Sequence, residues 1–377
     1  MGPLAGIKVI EIAGLGAAPY GCMMLADMGA DVVRVERPSG SGDTPENSPL
    51  LRNRRSVALD LKKPQGRDLV LAMVEKADVL IEAFRPGVAE RLGIGPDACF
   101  ARNARLVYGR MTGWGQTGPM AQSAGHDLNY IGLSGLLHQI GPTGGKPVVP
   151  LNVIGDFGGG GLLLAFGVVC AVLEARQSGR GQIVDAAMLD GSLSFMAMFF
   201  GYRALGQFAD RTGSHLLGGG AHYYDTYETK DGRHLAVAPI EPQFYAAFLE
   251  KLGLTGDRWR HAGYPAHTAA TVAQDWPALK LELAAIFKSK NRDEWAELFA
   301  GSDACVTPIL TLAEAPEHPH NRARQAFVEV GGLLQNAPTP RFSRTRPEHP
   351  RPPAKTGSDT QSVLADWGID PNLATLR

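Results

Sequence analysis

Short runs of β-branched residues alternate with helical patterns over the first third of this 377-residue chain. Between the first two runs, PYGCMMLADMG has apolar residues at helical spacing and ends at Gly29. The predicted strands lie at 7–12, 31–36, 78–84 and 106–111. Such alternation is typical of parallel strands joined by crossover helices. The sequence therefore predicts an α/β fold that contains βαβ units.

A different pattern begins near residue 222, where YYDTYETKDGRHLAVAPIE predicts two strands around an Asp-Gly turn. The segments QFYAAFLEKLG and NRDEWAELFAG, which follow this hairpin, have helical spacing. The hairpin marks the expected start of a second domain, which ends near residue 320. The proline-rich stretch 337–355 is expected to lie extended along a surface.

Two apolar stretches lie between these regions. The first, LLLAFGVVCAVL at 162–173, is too short to cross a bilayer and predicts a buried helix. After a strand-like QIVD, the segment AAMLDGSLSFMAMFFGYRALG predicts a second apolar helix.

Composition excludes several classes of function. Lys and Arg (37) nearly balance Asp and Glu (38), so no overall field attracts nucleic acid or an anionic membrane. The four cysteines are far apart, which argues against a zinc site and favours a reducing compartment. No H-E-x-x-H pattern is present, and we expect no metal. No export signal is visible and TLR at the end is not an S-K-L address, so we expect a cytoplasmic location.

The turn after the first predicted strand, Gly14-Leu15-Gly16-Ala17-Ala18-Pro19, is close to the G-x-G-x-x-G of dinucleotide-binding folds. Its third glycine is replaced by Pro19, a residue that suits the first turn of a helix. We therefore favour a tight βα turn over a nicotinamide site. Glu36, at the end of the next predicted strand, is then an ordinary strand-end acid.

Polar residues in four places are candidates for chemistry. His126 and Asp127 are adjacent, and adjacent helical residues point about 100° apart, so Asp127 is not expected to orient His126. The histidine either reacts or merely flanks the start of a helix. Asp156 precedes four glycines and an apolar helix. It is either an acid favoured by the helix dipole or a carboxylate that a substrate approaches closely past bare backbone.

The other candidates are Glu241 and a set of cations. Glu241 lies at a strand-to-helix corner, where most glutamates are solvated, although it could hydrogen-bond a histidine. The cations could bind the phosphate oxygens of a ligand. Alternatively, they are scattered over a solvated surface and bind no ligand. They include Arg37, Arg52, Lys62, Arg85 and Arg91.

Taken together and in order, the sequence motifs that contain these candidate residues resemble those of the α-methylacyl-CoA racemases, a branch of the family III CoA-transferase superfamily. The resemblance covers nearly the whole chain, and its discriminating blocks are GHDLNY (125–130), GDFGGGG (155–161) and IEPQFY (240–245). It implies a large Rossmann-like domain with a parallel sheet, a smaller α+β domain and an interlocked homodimer. The implied parts are 1–200 completed by 320–377, a linker at 201–222 and the small domain at 223–319.

The resemblance also implies the chemistry. His126 and Asp156 correspond to the two acid-base groups that invert C2 of a 2-methyl-branched acyl-CoA from fatty-acid or sterol side-chain breakdown. Glu241 would hydrogen-bond His126, from the small domain of the partner chain. The backbone N–H of Asp127 is our candidate donor to the enolate oxygen. No cofactor is implied, since CoA is part of the substrate, and its implied contacts are Arg37, Arg52, Leu59, Leu61, Lys62, Arg85, Val88, Arg91 and Tyr130.

Two other functions remain open at this point. A CoA-transferase of the same superfamily would use Asp156 as a nucleophile, but such transferases generally lack the histidine that corresponds to His126. A non-catalytic CoA-binding protein is the other alternative, and the presence of His126, Asp156 and Glu241 together argues against it.

Overall fold

The computed structural model describes residues 2–39, 45–263, 269–370 and 373, and the chain divides into two compact units. The first unit comprises Met1–Ser134, Leu151–Phe195 and Arg322–Arg377; the second comprises Gly135–Pro150 and Met196–Asn321. The second unit thus includes 201–222, which was expected to be a linker, and it also takes in 135–150. Its boundary lies at residue 196 rather than 223 because the segment before the hairpin packs with it.

A parallel sheet of six strands forms the centre of the first unit. The strands are β1 (Lys8–Ile12), β2 (Asp31–Glu36), β3 (Arg55–Ala58), β4 (Val79–Glu82), β5 (Val107–Thr112) and β6 (Ile183–Ala187). Their spatial order, β3-β2-β1-β4-β5-β6, is that of a doubly wound Rossmann-like sheet. The parallel α/β fold predicted from the sequence is confirmed. β3 was not predicted, because its four residues RSVA carry too little apolar pattern.

Helices cover both faces of this sheet, as a sheet with buried apolar strands requires. One face packs against Leu69, Met73 and Trp367, and the other against Leu25 and Val168. Among the residues that the structure describes, the α-helices of the two units are α1 (Ala17–Asp27), α2 (Pro64–Val74), α3 (Val88–Arg91), α4 (Pro96–Phe100), α5 (Asp127–Leu133), α6 (Leu136–Gln139), α7 (Leu163–Ser178), α8 (Met188–Phe195), α9 (Ala197–Ala204), α10 (Pro242–Leu252), α11 (Asp257–Arg260), α12 (Ala269–Phe287), α13 (Arg292–Phe299), α14 (Pro319–Ala323) and α15 (Thr360–Trp367).

The apolar stretches differ from their predictions. A π-helix, Val153–Leu162, runs directly into α7, so the helical segment Val153–Ser178 is longer than the predicted apolar run. The segment contains an 18-residue window of mean hydropathy 1.9, so by length and composition alone it could cross a membrane, and 44% of that window is buried inside the protein. The predicted second apolar helix is divided into α8 and α9 at Met196.

Charged side chains are also buried in the first unit. Glu11 on β1 accepts hydrogen bonds from Arg34 Nη1 at 2.6 Å and from Arg54 Nε at 3.0 Å. None of the three is more than 4% exposed. Removing one partner of such a group leaves an uncompensated buried charge, so these pairs constrain how β1, β2 and the segment before β3 meet.

The second unit contains the predicted hairpin, β7 (Asp225–Glu228) and β8 (His234–Val237), and this prediction is confirmed. The turn places Gly232 at φ 73°, in the left-handed region that glycine adopts readily. A third strand, β9 (Val306–Pro308), pairs with β8 and was not predicted. Neither was the antiparallel pair β10 (Phe327–Val330) and β11 (Leu333–Asn336) of the first unit.

A buried histidine lies in the core of the second unit. His222 is fully buried, and its Nε2 is 2.8 Å from the Tyr245 hydroxyl. Because that hydroxyl donates to the Trp259 carbonyl at 2.9 Å, the imidazole must donate its Nε2 hydrogen to it. Nδ1 has no hydrogen-bond partner. Burial, and then the charges of Lys280 and Arg258, lower the pKa of His222 to about 3.

Protonation of His222 should therefore favour the unfolded chain. Its pKa falls from 6.5 to about 3 on folding, so the unfolded state binds more protons and stability drops as the pH falls through this window. We expect the urea midpoint of the His222→Gln variant to depend less on pH between about 6.5 and 3 than that of the wild type. Replacing the exposed His320 by Gln is the control; parallel curves for the wild type and His222→Gln would contradict the prediction.

Candidate active site

Asp156 lies in the first turn of the π-helix, whose sequence is VIGDFGGGGL. π-helical turns are rare and occur frequently at functional sites. The glycine run that follows Asp156 lies backbone-to-backbone against its neighbours. A Cβ on Gly161 would lie 2.3 Å from the Ala17 carbonyl oxygen, and one on Gly191 would lie 1.9 Å from the Gly159 carbonyl oxygen. These glycines permit close helix packing.

The turn between β1 and α1 lies directly beside Asp156. Gly16 has φ 60°, and its Cβ position is 3.5 Å from Asp156 Oδ2. A side chain at residue 16 would therefore strain the backbone, and its Cβ would lie in van der Waals contact with the carboxylate. The aromatic ring of Phe157 stacks on Tyr20 of α1 at 4.8 Å, which fixes the same part of the π-helix. The GLGAAP turn thus serves to bring Asp156 close to the end of β1.

The N-terminus of α5 meets the π-helix at Asp127. Asp127 is 4% exposed, and its Oδ2 accepts the backbone N–H of Asp156 at 2.8 Å. Position 155 requires a glycine here, since a Cβ at that position would lie 2.8 Å from the same oxygen. His126 is the N-cap of α5, and its backbone N–H donates to Asn129 Oδ1 at 3.0 Å. The histidine side chain is exposed.

His126 and Asp156 are close enough to interact electrostatically. Burial raises the pKa of Asp156; a hydrogen bond from Asn152 Nδ2 at 3.0 Å opposes the rise, the charge of Asp127 adds to it, and His126 lowers it. A carboxyl group with a raised pKa that interacts electrostatically with an exposed imidazole is suited to proton transfer. The structure thus brings together two of the predicted catalytic residues, and it adds Asn152, which the sequence did not single out.

Tyr130 packs against the same region. Its ring lies edge-on to Trp114 at 4.7 Å, and it fills the space that a side chain on Gly113 or Gly125 would need. Burial, followed by the charge of Asp156, raises the pKa of Tyr130 to about 12. The phenol is therefore neutral at physiological pH and lies near the carboxylate rather than in the cleft described next.

A cleft of about 580 Å³ opens at the carboxyl ends of β1, β2 and β3. Ligands of doubly wound folds bind at this edge of the sheet, where the strand order reverses. Gly14 and Leu15 form part of its wall, and the next residue in the chain, Gly16, lies beside Asp156. Five predicted CoA contacts line it: Arg37, Leu59, Leu61, Lys62 and Val88.

The other cations expected to contact CoA lie elsewhere. Arg85 and Arg91 are exposed near α3, outside the lining of the cleft. Arg52 is fully buried: it donates to Asp27 through Nε and Nη2, at 3.1 and 2.5 Å, and through Nη1 to Gln335 at 3.1 Å. The expectation that Arg52 contacts CoA was therefore wrong. Its guanidinium instead ties α1 to β11, a function that its residue type alone does not reveal.

Glu241 belongs to the second unit. It is exposed and forms the N-cap of α10, directly before Pro242. Its charge, after burial, raises the pKa of the neighbouring Cys305 thiol. Within residues 2–39, 45–263, 269–370 and 373, no group of three or more His, Cys, Asp or Glu side chains is placed to hold a metal ion.

Comparison with known proteins agrees with this geometry. The model of CoA-transferase family III matches residues 4–360. The chain belongs to this family. It is 44% identical over 369 residues to the alpha-methylacyl-CoA racemase of Mus musculus, a match that covers 97% of this chain and 93% of that protein. The human protein of the same name is 40% identical over 376 residues, covering 97% and 94% of the two chains.

A solved structure extends the match to the fold. The CAIB/BAIF family protein from Brucella suis superposes with a TM-score of 0.81 at 27% identity, covering 97% of this chain and 99% of that one. The resemblance drawn from GHDLNY, GDFGGGG and IEPQFY is thus confirmed at the level of the family and the fold.

The packing of the π-helix can be tested by adding a single methyl group. Gly161→Ala places a Cβ 2.3 Å from the Ala17 carbonyl oxygen, so the π-helix or α1 must shift. We expect a loss of about 1–3 kcal/mol in the free energy of unfolding, measured by urea denaturation. Gly132→Ala on α5 is the control, because its Cβ meets no atom within 4 Å. Equal losses for both variants would show that backbone contact is not the cause.

Proposed function

We propose that this protein is a racemase that inverts C2 of 2-methyl-branched acyl-CoA thioesters by proton transfer through an enolate. The observation that carries the proposal is the electrostatic interaction of His126 with Asp156, a carboxyl group of raised pKa that lies beside the turn lining the cleft. The 40–44% identity to two racemases supports the same substrate class. We propose that it acts in the cytoplasm, in fatty-acid or lipid metabolism, without a metal or an organic cofactor.

The reaction needs two acid-base groups on opposite faces of C2. One group removes the C2 proton, and the electron pair moves into the thioester carbonyl to form an enolate. The other group, protonated at the start, delivers its proton to the opposite face, and the carbonyl reforms. Asp156 and His126 exchange these duties when the other enantiomer is bound. Glu241 is proposed to hydrogen-bond His126 and hold its ring.

The enolate oxygen needs a hydrogen-bond donor that keeps its proton, as a backbone N–H does. We propose the backbone N–H of Asp127, the first residue of α5, as that donor. Backbone N–H groups in the first turn of a helix have no partner within the helix. The neighbouring His126 N–H is already bonded to Asn129, which leaves Asp127 as the better candidate.

The cleft suits the CoA part of the substrate. Arg37 and Lys62 are exposed at its lining and can meet phosphate oxygens, while Leu59, Leu61 and Val88 offer apolar walls. Arg85, Arg91 and Tyr130 are proposed to contact CoA outside the cleft. Glu36 also lines it, but its carboxylate accepts hydrogen bonds from Ser56 and, at 3.4 Å, from Arg34.

We propose that two chains form the interlocked homodimer, with each site completed by Glu241 of the partner. An apolar surface of the first unit supports association. Leu162, Phe166 and Leu173 are 43%, 66% and 57% exposed on the outer side of the helical segment, beside the edge strand β6. Large exposed apolar surfaces of this kind mark interfaces.

Single substitutions should distinguish the roles of the two acid-base groups, His126 and Asp156. In deuterated buffer, Asp156→Asn should abolish racemisation yet retain C2 exchange of the enantiomer that His126 deprotonates, and His126→Gln should retain exchange of the other enantiomer only. Proton NMR of 2-methylacyl-CoA measures both, with the exposed His320→Gln variant as the control. Acyl-enzyme trapped by hydroxylamine, without exchange by the wild type, would establish the transferase alternative. CoA thioester binding with neither result would indicate a non-catalytic protein.

Whether each active site is built from two chains can be tested by combining two inactive variants. If His126 and Glu241 meet across two chains, co-expressed His126→Gln and Glu241→Gln chains should form heterodimers with one intact site each. With random pairing, half of the dimers are mixed, so activity should return to about a quarter of the wild-type value. Mixtures as inactive as their parents would show that both residues act within one chain.

A further inference from the structure

The carboxylate of Asp127 has no part in the reaction as set out above, which uses only its backbone N–H. Yet the side chain is 4% exposed, and Oδ1 has no hydrogen-bond partner, while Oδ2 accepts the Asp156 N–H at 2.8 Å. Burying a carboxylate oxygen without a hydrogen-bond partner destabilises the folded chain. Such an arrangement is expected where the charge itself is useful.

We propose that Asp127 is a positioning residue: its carboxylate holds the backbone of Asp156 and places a buried negative charge beside that base. The inference rests on the proposed function for its catalytic meaning, but the contact and the charge exist independently of it. It also goes beyond the expectation from the sequence, in which Asp127 mattered only through its backbone.

The geometry gives this contact a specific consequence. Asp127 would supply the enolate donor through its own N–H and anchor Asp156 through its side chain. One residue therefore sets the spacing between the oxyanion site and one acid-base group. Gly155 leaves just enough room for the carboxylate, since a Cβ there would lie 2.8 Å from Oδ2. Small errors in such spacing reduce rates by large factors.

The charge of Asp127 has a second effect. After burial, it is the group that raises the pKa of Asp156, whereas the hydrogen bond from Asn152 and the charge of His126 act in the opposite direction. Tyr130, which also faces Asp156, has its own pKa raised and stays neutral. Removing the charge of Asp127 should therefore lower the pKa of Asp156.

Asp127→Asn tests the charge while keeping an oxygen that can accept the Asp156 N–H. The full-length protein, labelled with carbon-13 at aspartate carboxyl groups, is titrated by NMR, with Asp156→Asn used to assign the Asp156 signal. We expect the Asp156 midpoint to move to lower pH in Asp127→Asn. The exposed Asp97→Asn on α4 is the matched control and should leave the midpoint unchanged.

Asp127→Ala removes the anchor as well as the charge. We expect C2 exchange about 10- to 100-fold slower than in the wild type, with Asp127→Asn between the two. In Asp127→Asn, the acid limb of exchange from the enantiomer that Asp156 deprotonates should also move to lower pH. An unchanged Asp156 midpoint in Asp127→Asn would overturn the inference. Because the titration needs no turnover, a wild type without C2 exchange would instead count against the proposed function.

Discussion

The candidate site depends on close contact between backbones. Three helices meet where the π-helix passes α1 and α8, and glycines at each crossing replace the side chains that would hold them apart. Gly21 faces the Gly161 carbonyl, and Gly191 faces that of Gly159. Interiors are packed too densely to absorb an added methyl group without a shift. The position of Asp156 therefore follows from where these helices touch, more than from the bonds of its own side chain.

The parallel sheet could be predicted because its strands are short, β-branched and buried on both faces, a pattern that is visible locally. The π-helix could not. Four consecutive glycines favour a loop by propensity, and packing against α1 and α8 in the folded chain offsets that preference. A glycine run directly before an apolar helix was the available signal for close helix packing.

Among the polar residues too, some could be predicted from the sequence and others could not. His126 and Asp156 were predicted from a resemblance between motifs, and the fold brings them together. Arg52 shows where this fails, because residue type identifies a cation but not its surroundings. Its partners Asp27 and Gln335 lie far away in the sequence, and the pairing consumes the charge that seemed available for phosphate. The carboxylate of Asp127 was missed for the same reason, since its contact with Asp156 exists only in the folded chain.

The turn that links β1 to α1 has one more consequence. Gly14 and Leu15 form part of the wall of the cleft, and Gly16 lies against Asp156. In a racemase built this way, these three consecutive residues align the CoA part of the substrate with the carbon that reacts. If CoA binds in the cleft as proposed, this turn fixes the position of the thioester relative to Asp156, and that alignment does not depend on the acyl chain beyond C2.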